Sequence, residues 1–259
     1  MSLSNTPAAP TCSAPCTLPT ILLCGDSLTQ FAFDPSLHGW AASLSAKLIG
    51  RADILNRGAS GYTSASYRAL LPHLALPTHA DALVVFLGAN DAAVPGSTQH
   101  VPVAQYRTNL AAILAHLDAK YPTTRARIVV TPPGVYEPGV QKVFPHSIRT
   151  VVGIAQYAAA ARAVASQSGW ALADVFDATK DGAADLFIAD GLHLARKGND
   201  VVFDVVWRTL VVQWPDLGNE EKGFAWPYWA TLPPAGKEGG RALVESLAAF
   251  AESRAADQS

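Results

Sequence analysis

Five short, largely apolar runs restrict what this chain can fold into more than any other feature. They cover residues 20–24, 53–56, 82–87, 126–131 and 170–175. An apolar run without polar alternation is typical of a strand that is buried on both faces of a sheet. Stretches with apolar residues at helical spacing lie between the runs, at 36–48, 64–74, 103–117, 148–166 and 195–212. This alternation predicts a three-layer α/β fold, in which helices cover both faces of a parallel sheet built from the five strands.

The distribution of proline, glycine and tryptophan divides the chain into three parts. Residues 1–19 are rich in Pro, Ala, Ser and Thr and are expected to form a flexible N-terminal arm; they lack the basic start and apolar core of a secretory signal. Residues 20–213 form the predicted domain, and residues 214–259 form a C-terminal extension with a last helix at 240–253. The extension carries Trp214, Trp226, Tyr228 and Trp229. These rings are expected either to pack onto the domain or to form a partner surface, such as that of a homodimer.

The net charge and the cysteine content limit which partners and ligands the chain is expected to bind. The net charge of −2 gives no strong field that would attract nucleic acid or an anionic membrane. No apolar run approaches the roughly 20 residues of a membrane span. Cys12, Cys16 and Cys24 do not make a disulfide framework, and Cys12 and Cys16 lack the second pair that a metal site would need. We therefore expect a cytoplasmic protein with no nucleic-acid partner, no membrane span and no metal.

Four short polar motifs stand in this framework, and three of them follow predicted strands closely. They are Gly25-Asp26-Ser27-Leu28, Gly58-Ala59-Ser60-Gly61, Gly88-Ala89-Asn90-Asp91 and Asp190-Gly191-Leu192-His193. The fourth lies after the last strand, just before a helix. Because the carboxyl ends of parallel strands share one edge of a sheet, we expect the four motifs to meet there. Together they supply a nucleophile, a histidine with a carboxylate and several hydrogen-bond donors, which are the groups that acyl transfer needs.

Ser27 and His193 are the candidate nucleophile and base. A serine in a turn between a strand and a helix is exposed to substrate, although the same place suits a serine that caps a helix. Asp190 lies three residues before His193, so its carboxylate can fix the imidazole tautomer while the other ring nitrogen faces Ser27. The alternative for Asp190 is the cap of the following helix. Asp26, next to Ser27, is interpreted as a hydrogen-bond acceptor for the turn.

Asn90, Gly61 and Ser27 are the candidate donors to an oxyanion. The side-chain amide of Asn90 and the backbone N–H groups of Gly61 and Ser27 could supply three fixed donors to a developing negative charge. A glycine at position 61 also allows the main chain to come close to a substrate. The alternative is that Gly61 and Asn90 only form turns, in which both residue types are common. Asp91 is interpreted as a brace within its loop.

With these motifs in this order, the chain resembles the SGNH, or GDSL, hydrolase superfamily over residues 20–212. The resemblance implies the flavodoxin-like fold of that superfamily. It also implies a serine esterase that forms an acyl-enzyme on Ser27, with Asp190 and His193 as the acid–base pair. Ser27, Gly61 and Asn90 would form the oxyanion hole, and no cofactor would be required.

A narrower resemblance is to the isoamyl acetate-hydrolysing esterase group. It rests on Gly88-Ala89-Asn90-Asp91-Ala92, Pro95-Gly96, Gln99-His100-Val101-Pro102, Asp190-Gly191-Leu192-His193-Leu194 and Pro227-Tyr228-Trp229. The resemblance implies a small-molecule substrate, an ester of a small acid and a small alcohol. The chain departs from the group at Ala59, where the group has phenylalanine, and this change would enlarge one wall of the pocket.

Three other functions compete with a short-chain esterase. The same superfamily contains lipases, lysophospholipases and thioesterases that act on longer acyl groups. A metallophosphoesterase also places Gly-Asp, Asn-Asp and His motifs after strands, but it needs several converging carboxylates and histidines, and the chain has no His-x-His or Asp-x-His pair. The third alternative is a non-catalytic binding domain on the same fold.

Overall fold

One parallel sheet forms the centre of the protein. A computed structural model describes residues 18–219, 226–227, 229–233 and 239–256. The strands are β1 (Thr20–Gly25), β2 (Asp53–Gly58), β3 (Ala82–Phe86), β4 (Ala126–Val130) and β5 (Ala171–Ala173). They are all parallel and lie in the order β2-β1-β3-β4-β5. This is the flavodoxin-like strand order, so the predicted five-stranded α/β fold is confirmed.

The register of β1, β2 and β3 brings the loops that follow them to one level. Gly25, at the end of β1, pairs with Gly58 of β2 and with Phe86 of β3. The strand order reverses at β1, since β2 lies on one side of it and the remaining strands lie on the other. An open parallel sheet forms a crevice at such a point, outside the carboxyl ends of its strands. The first three polar motifs therefore border one crevice.

Helices flank the sheet in two groups. The described residues contain α1 (Ser27–Gln30), α2 (Trp40–Lys47), α3 (Ser64–Leu70), α4 (Val103–Lys120), α5 (Glu137–Val143), α6 (Val151–Ser168), α7 (Val175–Thr179), α8 (Arg196–Gln213) and α9 (Gly239–Ala256). In one group α2 packs against α8, and in the other α4 packs against both α3 and α6. The core lies between these groups and the sheet, and Leu22, Val85 and Ile113 are fully buried in it.

The helix predicted at 36–48 is interrupted. Pro35–Leu37 form a separate 3-10 turn, His38 adopts a left-handed conformation with a φ of 55°, and α2 begins only at Trp40. The carboxylate of Asp34 explains the break, because it accepts hydrogen bonds from the backbone N–H and the hydroxyl of Ser36 at 2.8 and 2.6 Å. These bonds begin a turn of their own before α2.

The fifth strand is also shorter than the predicted run 170–175. It ends at Ala173, because Asp174 caps α7 by accepting a hydrogen bond from the N–H of Asp177. The same carboxylate forms a bidentate pair with Arg162, at 2.7 and 3.0 Å. The cap Asp174 and the first helical residue Val175 thus occupy the last two positions of the predicted strand.

The segment 133–146 contains Pro133, Pro138 and Pro145, which predict a stiff loop, but the structure places α5 within it. Pro138 lies in the first turn of this helix, where a backbone N–H would have no acceptor within the helix. The carboxylate of Glu137 accepts a hydrogen bond from the N–H of Val151 at 2.9 Å and so joins α5 to the start of α6. Prolines mark the beginning of a helix here.

The first part of the C-terminal extension packs on the domain. Trp214 is buried, and the guanidinium of Arg125 lies 5.1 Å from the centroid of its ring. The buried guanidinium of Arg51 donates hydrogen bonds to the carbonyl groups of Asp216, Leu217 and Asn219. Trp226 is about half exposed. Tyr228 and the side chain of Trp229 lie outside the described residues, as does the predicted N-terminal arm up to residue 17.

For the later part of the extension, packing onto the domain and forming a partner surface therefore both stay predictions. Among the helices that the structure describes, none is both long enough and apolar enough to span a membrane.

Candidate active site

Ser27 lies in the first turn after β1, at the centre of the crevice. The carboxylate of Asp26 accepts a hydrogen bond from the N–H of Leu28 at 2.9 Å and thereby begins α1. The serine itself is only 4% exposed. Its own N–H group has no hydrogen-bond acceptor among the described residues. The turn therefore holds both the hydroxyl and an unpaired backbone donor in place. Asp26 acts as the turn acceptor that the sequence predicts.

The structure joins Ser27, His193 and Asp190 in one chain of hydrogen bonds. The hydroxyl oxygen of Ser27 lies 3.0 Å from Nε2 of His193. Nδ1 of the same ring lies 2.6 Å from a carboxylate oxygen of Asp190. The second carboxylate oxygen of Asp190 accepts hydrogen bonds from the N–H groups of Leu192 and His193, both at 2.9 Å. Asp190 does not cap α8, which begins after Ala195 without a side-chain cap.

These contacts control the charge of Asp190. Burial alone would raise the pKa of Asp190, but the hydrogen bonds from the His193 ring and from two backbone N–H groups outweigh burial and hold this pKa below its usual value. The carboxylate therefore stays ionised at neutral pH. A negative charge at this place favours a proton on Nδ1 of His193 and leaves Nε2 free to accept one from Ser27.

A part of the fold that the sequence did not indicate supports the loop of Asp190. Gly191 has a φ of 72°, and its carbonyl oxygen accepts a hydrogen bond from the N–H of Tyr136 at 2.8 Å. A side chain at position 191 would lie 2.1 Å from the carbonyl oxygen of Tyr136. The glycine is therefore needed both for its backbone angle and for the close approach of the segment before α5.

Gly61 and Asn90 border the same crevice from β2 and β3. Gly61 has a φ of 78°, and its N–H group has no hydrogen-bond acceptor among the described residues. The amide nitrogen of Asn90 donates one hydrogen bond, to the carbonyl oxygen of Tyr62 at 2.9 Å. Asn90 is 3% exposed, so its amide is fixed in the wall of the crevice. The structure thus brings all of the predicted site residues to one edge of the sheet.

Arg149 and Gln99 lie directly behind Asn90 and were not predicted as parts of the site. The amide oxygen of Asn90 accepts hydrogen bonds from Arg149 and from Gln99, both at 3.2 Å. Gln99 also donates to the carbonyl oxygen of Gly61 at 3.0 Å. A single arginine before a helix, such as Arg149, produces no pattern in the sequence that would mark it. The motif around Gln99 indicates a family resemblance but does not indicate what Gln99 does.

Two further carboxylates are buried near the crevice. Asp91 accepts hydrogen bonds from both the N–H and the hydroxyl of Ser64, which makes it the loop brace that the sequence predicts. Burial raises the pKa of Asp91 to about 6 despite these bonds. Burial likewise raises the pKa of Asp26 to about 7, and the nearby charge of Asp91 adds to this effect. One carboxylate oxygen of Asp26 has no hydrogen-bond partner among the described residues.

Replacing Asp26 by asparagine is expected to change how stability depends on pH. An unfolded aspartate has a pKa of about 3.9, so between about pH 4 and the folded pKa of about 7 the folded state binds more protons than the unfolded state. The free energy of unfolding of the wild type therefore falls as pH rises through this window. Asp26→Asn keeps the cap acceptor but removes this term. Relative to the wild type, the variant should gain stability steadily from pH 4 to pH 7.

Chemical denaturation at several pH values measures this difference. Asp53→Asn, a change at an exposed aspartate at the start of β2, is the matched control and should leave the pH profile of stability unchanged. Parallel profiles for the wild type and Asp26→Asn would contradict the prediction.

A small cavity adjoins Ser27 and His193. It is lined by these two residues, by Asn199 and by the apolar side chains of Leu28, Phe31, Leu37 and Leu194. The ring of Phe31 lies edge-on to the imidazole of His193, with 5.6 Å between their centroids. The buried amide of Asn199 donates to the carbonyl oxygens of Leu37 and Leu194 at 3.1 and 3.2 Å. These bonds tie two walls of the cavity together.

This fold and these side chains define a class of protein. A serine, a histidine and an aspartate are hydrogen-bonded in series where the strand order of a flavodoxin-like sheet reverses. This arrangement is the framework of an α/β ester hydrolase.

Comparison with known proteins identifies the family. The model of the GDSL-like Lipase/Acylhydrolase family matches residues 23–201, and the chain belongs to that family. The protein is therefore a carboxylic ester hydrolase, and the resemblance stated from the four motifs is confirmed.

Individual relatives agree with this assignment. The isoamyl acetate-hydrolyzing esterase 1 homolog of Bos taurus is 32% identical over 239 residues, which cover 87% of this chain and 92% of that protein. A GDSL esterase/lipase of Arabidopsis thaliana is 33% identical over 244 residues, covering 88% of this chain and 98% of the relative. The crystal structure of a lipase/acylhydrolase from Enterococcus faecalis has a TM-score of 0.58 and 25% identity, covering 74% of this chain and 94% of that one.

Proposed function

We propose that the protein is a serine esterase that hydrolyses short-chain carboxylic esters, similar to acetates, through an acyl-enzyme intermediate on Ser27. The observation that carries the proposal is the hydrogen-bonded series from Ser27 through His193 to the ionised Asp190. A serine hydroxyl becomes a strong nucleophile only when a base can take its proton in the same step, and this geometry provides that base.

In the first half of the reaction, the Ser27 oxygen attacks the ester carbonyl while Nε2 of His193 takes the hydroxyl proton. The tetrahedral intermediate collapses when the C–O bond to the alcohol breaks. His193 then gives its proton to the alcohol oxygen as that oxygen leaves, and the acyl group stays on Ser27. Asp190 stabilises the imidazolium that exists between the two proton transfers.

In the second half, water replaces the alcohol. His193 takes a proton from the water while the water oxygen attacks the acyl carbonyl. The bond between the acyl carbon and the Ser27 oxygen breaks, His193 gives the proton that it took from the water to that oxygen, and the carboxylic acid leaves. The net reaction is the hydrolysis of one ester to one acid and one alcohol, and the site needs no cofactor.

Three donors support stabilisation of the oxyanion in both halves. The N–H groups of Ser27 and Gly61 have no acceptor among the described residues. The Asn90 amide has donated only one of its two N–H bonds, to Tyr62. Fixed donors of this kind stabilise the charge that develops in the transition state without reorganising, and each is worth roughly 10²–10³ in kcat.

The cavity next to Ser27 supports a substrate with a short chain. Four apolar side chains line it, so that an alkyl group gains from burial there. The hydrogen bonds of Asn199 to Leu37 and Leu194 prevent these walls from separating easily. The relatives named isoamyl acetate-hydrolyzing esterase homologs point to the same size of substrate.

We expect kcat/KM to peak between acetyl and hexanoyl esters. Each methylene that fits should gain roughly 0.8 kcal/mol of burial, or about fourfold in kcat/KM, whereas each methylene beyond the cavity should cost strain. The range extends to six carbons rather than two because Ala59 stands where the isoamyl acetate-hydrolysing group has the larger phenylalanine. The measurement is kcat/KM for p-nitrophenyl esters of two to twelve carbons, so that only the acyl group varies.

Ser27→Ala provides the background rate in this series. A profile that still rises at the dodecanoyl ester would contradict the proposal and would indicate a lipase, a lysophospholipase or a long-chain thioesterase of the same family. A two-metal phosphoesterase is less well supported, since no three His, Cys, Asp or Glu side chains of the described residues are placed to hold a metal ion.

A further inference from the structure

Arg149 is a buried cation behind the wall of the crevice. It is 1% exposed, and every one of its guanidinium nitrogens is hydrogen-bonded. Nε donates to the carbonyl oxygen of Ala89 at 2.8 Å, and Nη1 donates to the carbonyl oxygen of Ser147 at 2.6 Å. Nη2 donates to the side-chain oxygens of Asn90 and Gln99, at 3.2 and 2.7 Å.

No carboxylate forms an ion pair with Arg149 within the part of the chain that the structure describes. All of its hydrogen-bond acceptors are neutral oxygens, and the ring of Phe144 lies 5.9 Å from the guanidinium. Burial lowers the pKa of Arg149 to about 10, while the more distant charges of Asp26 and Asp91 raise it. The guanidinium therefore stays charged at neutral pH, and no direct contact neutralises its field.

This cation acts on the amide of Asn90. The amide oxygen accepts from both Arg149 and Gln99, so the amide cannot rotate without losing both bonds. The amide nitrogen is thereby turned away from Arg149. One of its N–H bonds goes to Tyr62, and the second has no acceptor among the described residues. A cation on the oxygen of an amide draws electron density from its nitrogen, which makes the remaining N–H a stronger donor.

We propose that Arg149 is a positioning residue for ester hydrolysis, which holds the Asn90 amide in place and polarises it toward the oxyanion, with Gln99 as the bridge between Arg149 and Gly61. The inference rests on the proposed function, because it requires Asn90 to be an oxyanion donor. The field of Arg149 favours a negative oxygen far more than a neutral ester carbonyl. Its effect should therefore fall on kcat and hardly on KM.

The test compares Arg149→Met with Arg149→Lys. Arg149→Met keeps the length of the side chain but removes the charge and the donors, and kcat for p-nitrophenyl acetate should fall by about 10- to 100-fold with KM changed less than about threefold. Arg149→Lys restores the charge without the bridging geometry and should recover part of the lost kcat. A side chain with a purely structural role would give no such recovery at equal folded fraction.

A double-mutant cycle with Asn90→Ala asks whether Arg149 acts through Asn90. Asn90→Ala alone should lower kcat by roughly 10²–10³. In that background Arg149→Met should cost less than about threefold, since the amide that it polarises is gone. Full additivity of the two losses would overturn the proposal. If Arg149→Met does not fold, Gln99→Leu takes its place in the cycle, because Gln99 is only partly buried and its loss removes one of the two donors to Asn90.

Arg51→Met is the matched control. Arg51 is also a buried arginine that donates to backbone carbonyls, but those carbonyls belong to residues 216, 217 and 219. This variant should lower stability and leave the kcat of folded protein unchanged.

If Asn90→Ala keeps the wild-type kcat, the proposed oxyanion hole is wrong. If Asn90→Ala loses kcat while folded Arg149→Met and Gln99→Leu do not, the oxyanion hole stands and only the role of Arg149 is wrong.

Discussion

Replacing Ser27 by alanine is expected to lower kcat for p-nitrophenyl acetate by at least about 10⁴-fold. The hydroxyl of Ser27 lies 3.0 Å from Nε2 of His193, and alanine leaves no atom there that could attack a carbonyl. The oxyanion donors would remain, so a residual rate above that of water is expected. Ser27 is buried in a well-defined turn, and among the described residues its hydroxyl has one hydrogen-bond partner, His193, so the fold should tolerate the change.

A covalent probe gives an independent measurement of the same role. A fluorophosphonate should add to the wild type once per chain, and mass spectrometry of the peptides should place the adduct on Ser27. Ser60→Ala, at an exposed serine next to Gly61, is the control and should label and turn over as the wild type does. An adduct on another serine, or an active Ser27→Ala protein, would contradict the assignment of the nucleophile.

The sheet could be predicted from the sequence because burial on both faces leaves a simple signature. Strands β1 and β3 are apolar at almost every position; β1 ends at Gly25 and β3 ends two residues before Gly88, so their bounds could be predicted to within a residue. The fifth strand could be placed but not bounded. Its last two predicted positions are the cap and the first residue of α7, and the partner of the cap residue Asp174 is Arg162 on another helix. A local pattern does not contain a contact of that kind.

Some residues of the candidate site could likewise be predicted from the sequence, and others could not. Asp190 and His193 could be paired from the sequence, since residues three apart meet in a turn. Ser27, Gly61 and Asn90 could be placed at one edge, because parallel strands bring their carboxyl ends together. Arg149 lies about sixty residues from Asn90 in the chain and contacts it only through the packing of α6 and the loop before it. Residues that act from behind the site carry no motif of their own.

The same limit applies to the helix α5. The sequence shows its prolines, which predict a stiff segment, but the backing that this segment gives to the loop of Asp190 depends on the tertiary fold. The contact between Tyr136 and Gly191 joins two loops that follow different strands. It supports the loop of Asp190 and His193, which contains no helix or strand of its own.

Replacing Asp190 by asparagine is expected to lower kcat by about 10³–10⁴-fold at neutral pH. One carboxylate oxygen of Asp190 accepts from the N–H groups of Leu192 and His193, and the asparagine oxygen can keep both bonds. The asparagine NH₂ group then faces Nδ1 of His193 in place of the second oxygen. Since an NH₂ group can only donate, Nδ1 must become the acceptor and the proton moves to Nε2. A protonated Nε2 cannot take the proton of Ser27.

Asp185→Asn is the matched control, because Asp185 is an exposed carboxylate that pairs with Lys197 at 2.6 Å. It should leave kcat unchanged.

The stability of Asp190→Asn should also depend on pH differently from that of the wild type. The pKa of Asp190 is lowered in the folded state, so its carboxylate stabilises the fold above the unfolded pKa of about 3.9 and loses this effect as pH falls through the folded value. Asp190→Asn should therefore be less stable than the wild type at pH 7 and should converge with it in strong acid. If folded Asp190→Asn keeps the wild-type kcat, or if Asp185→Asn is the more damaging change, Asp190 does not orient His193.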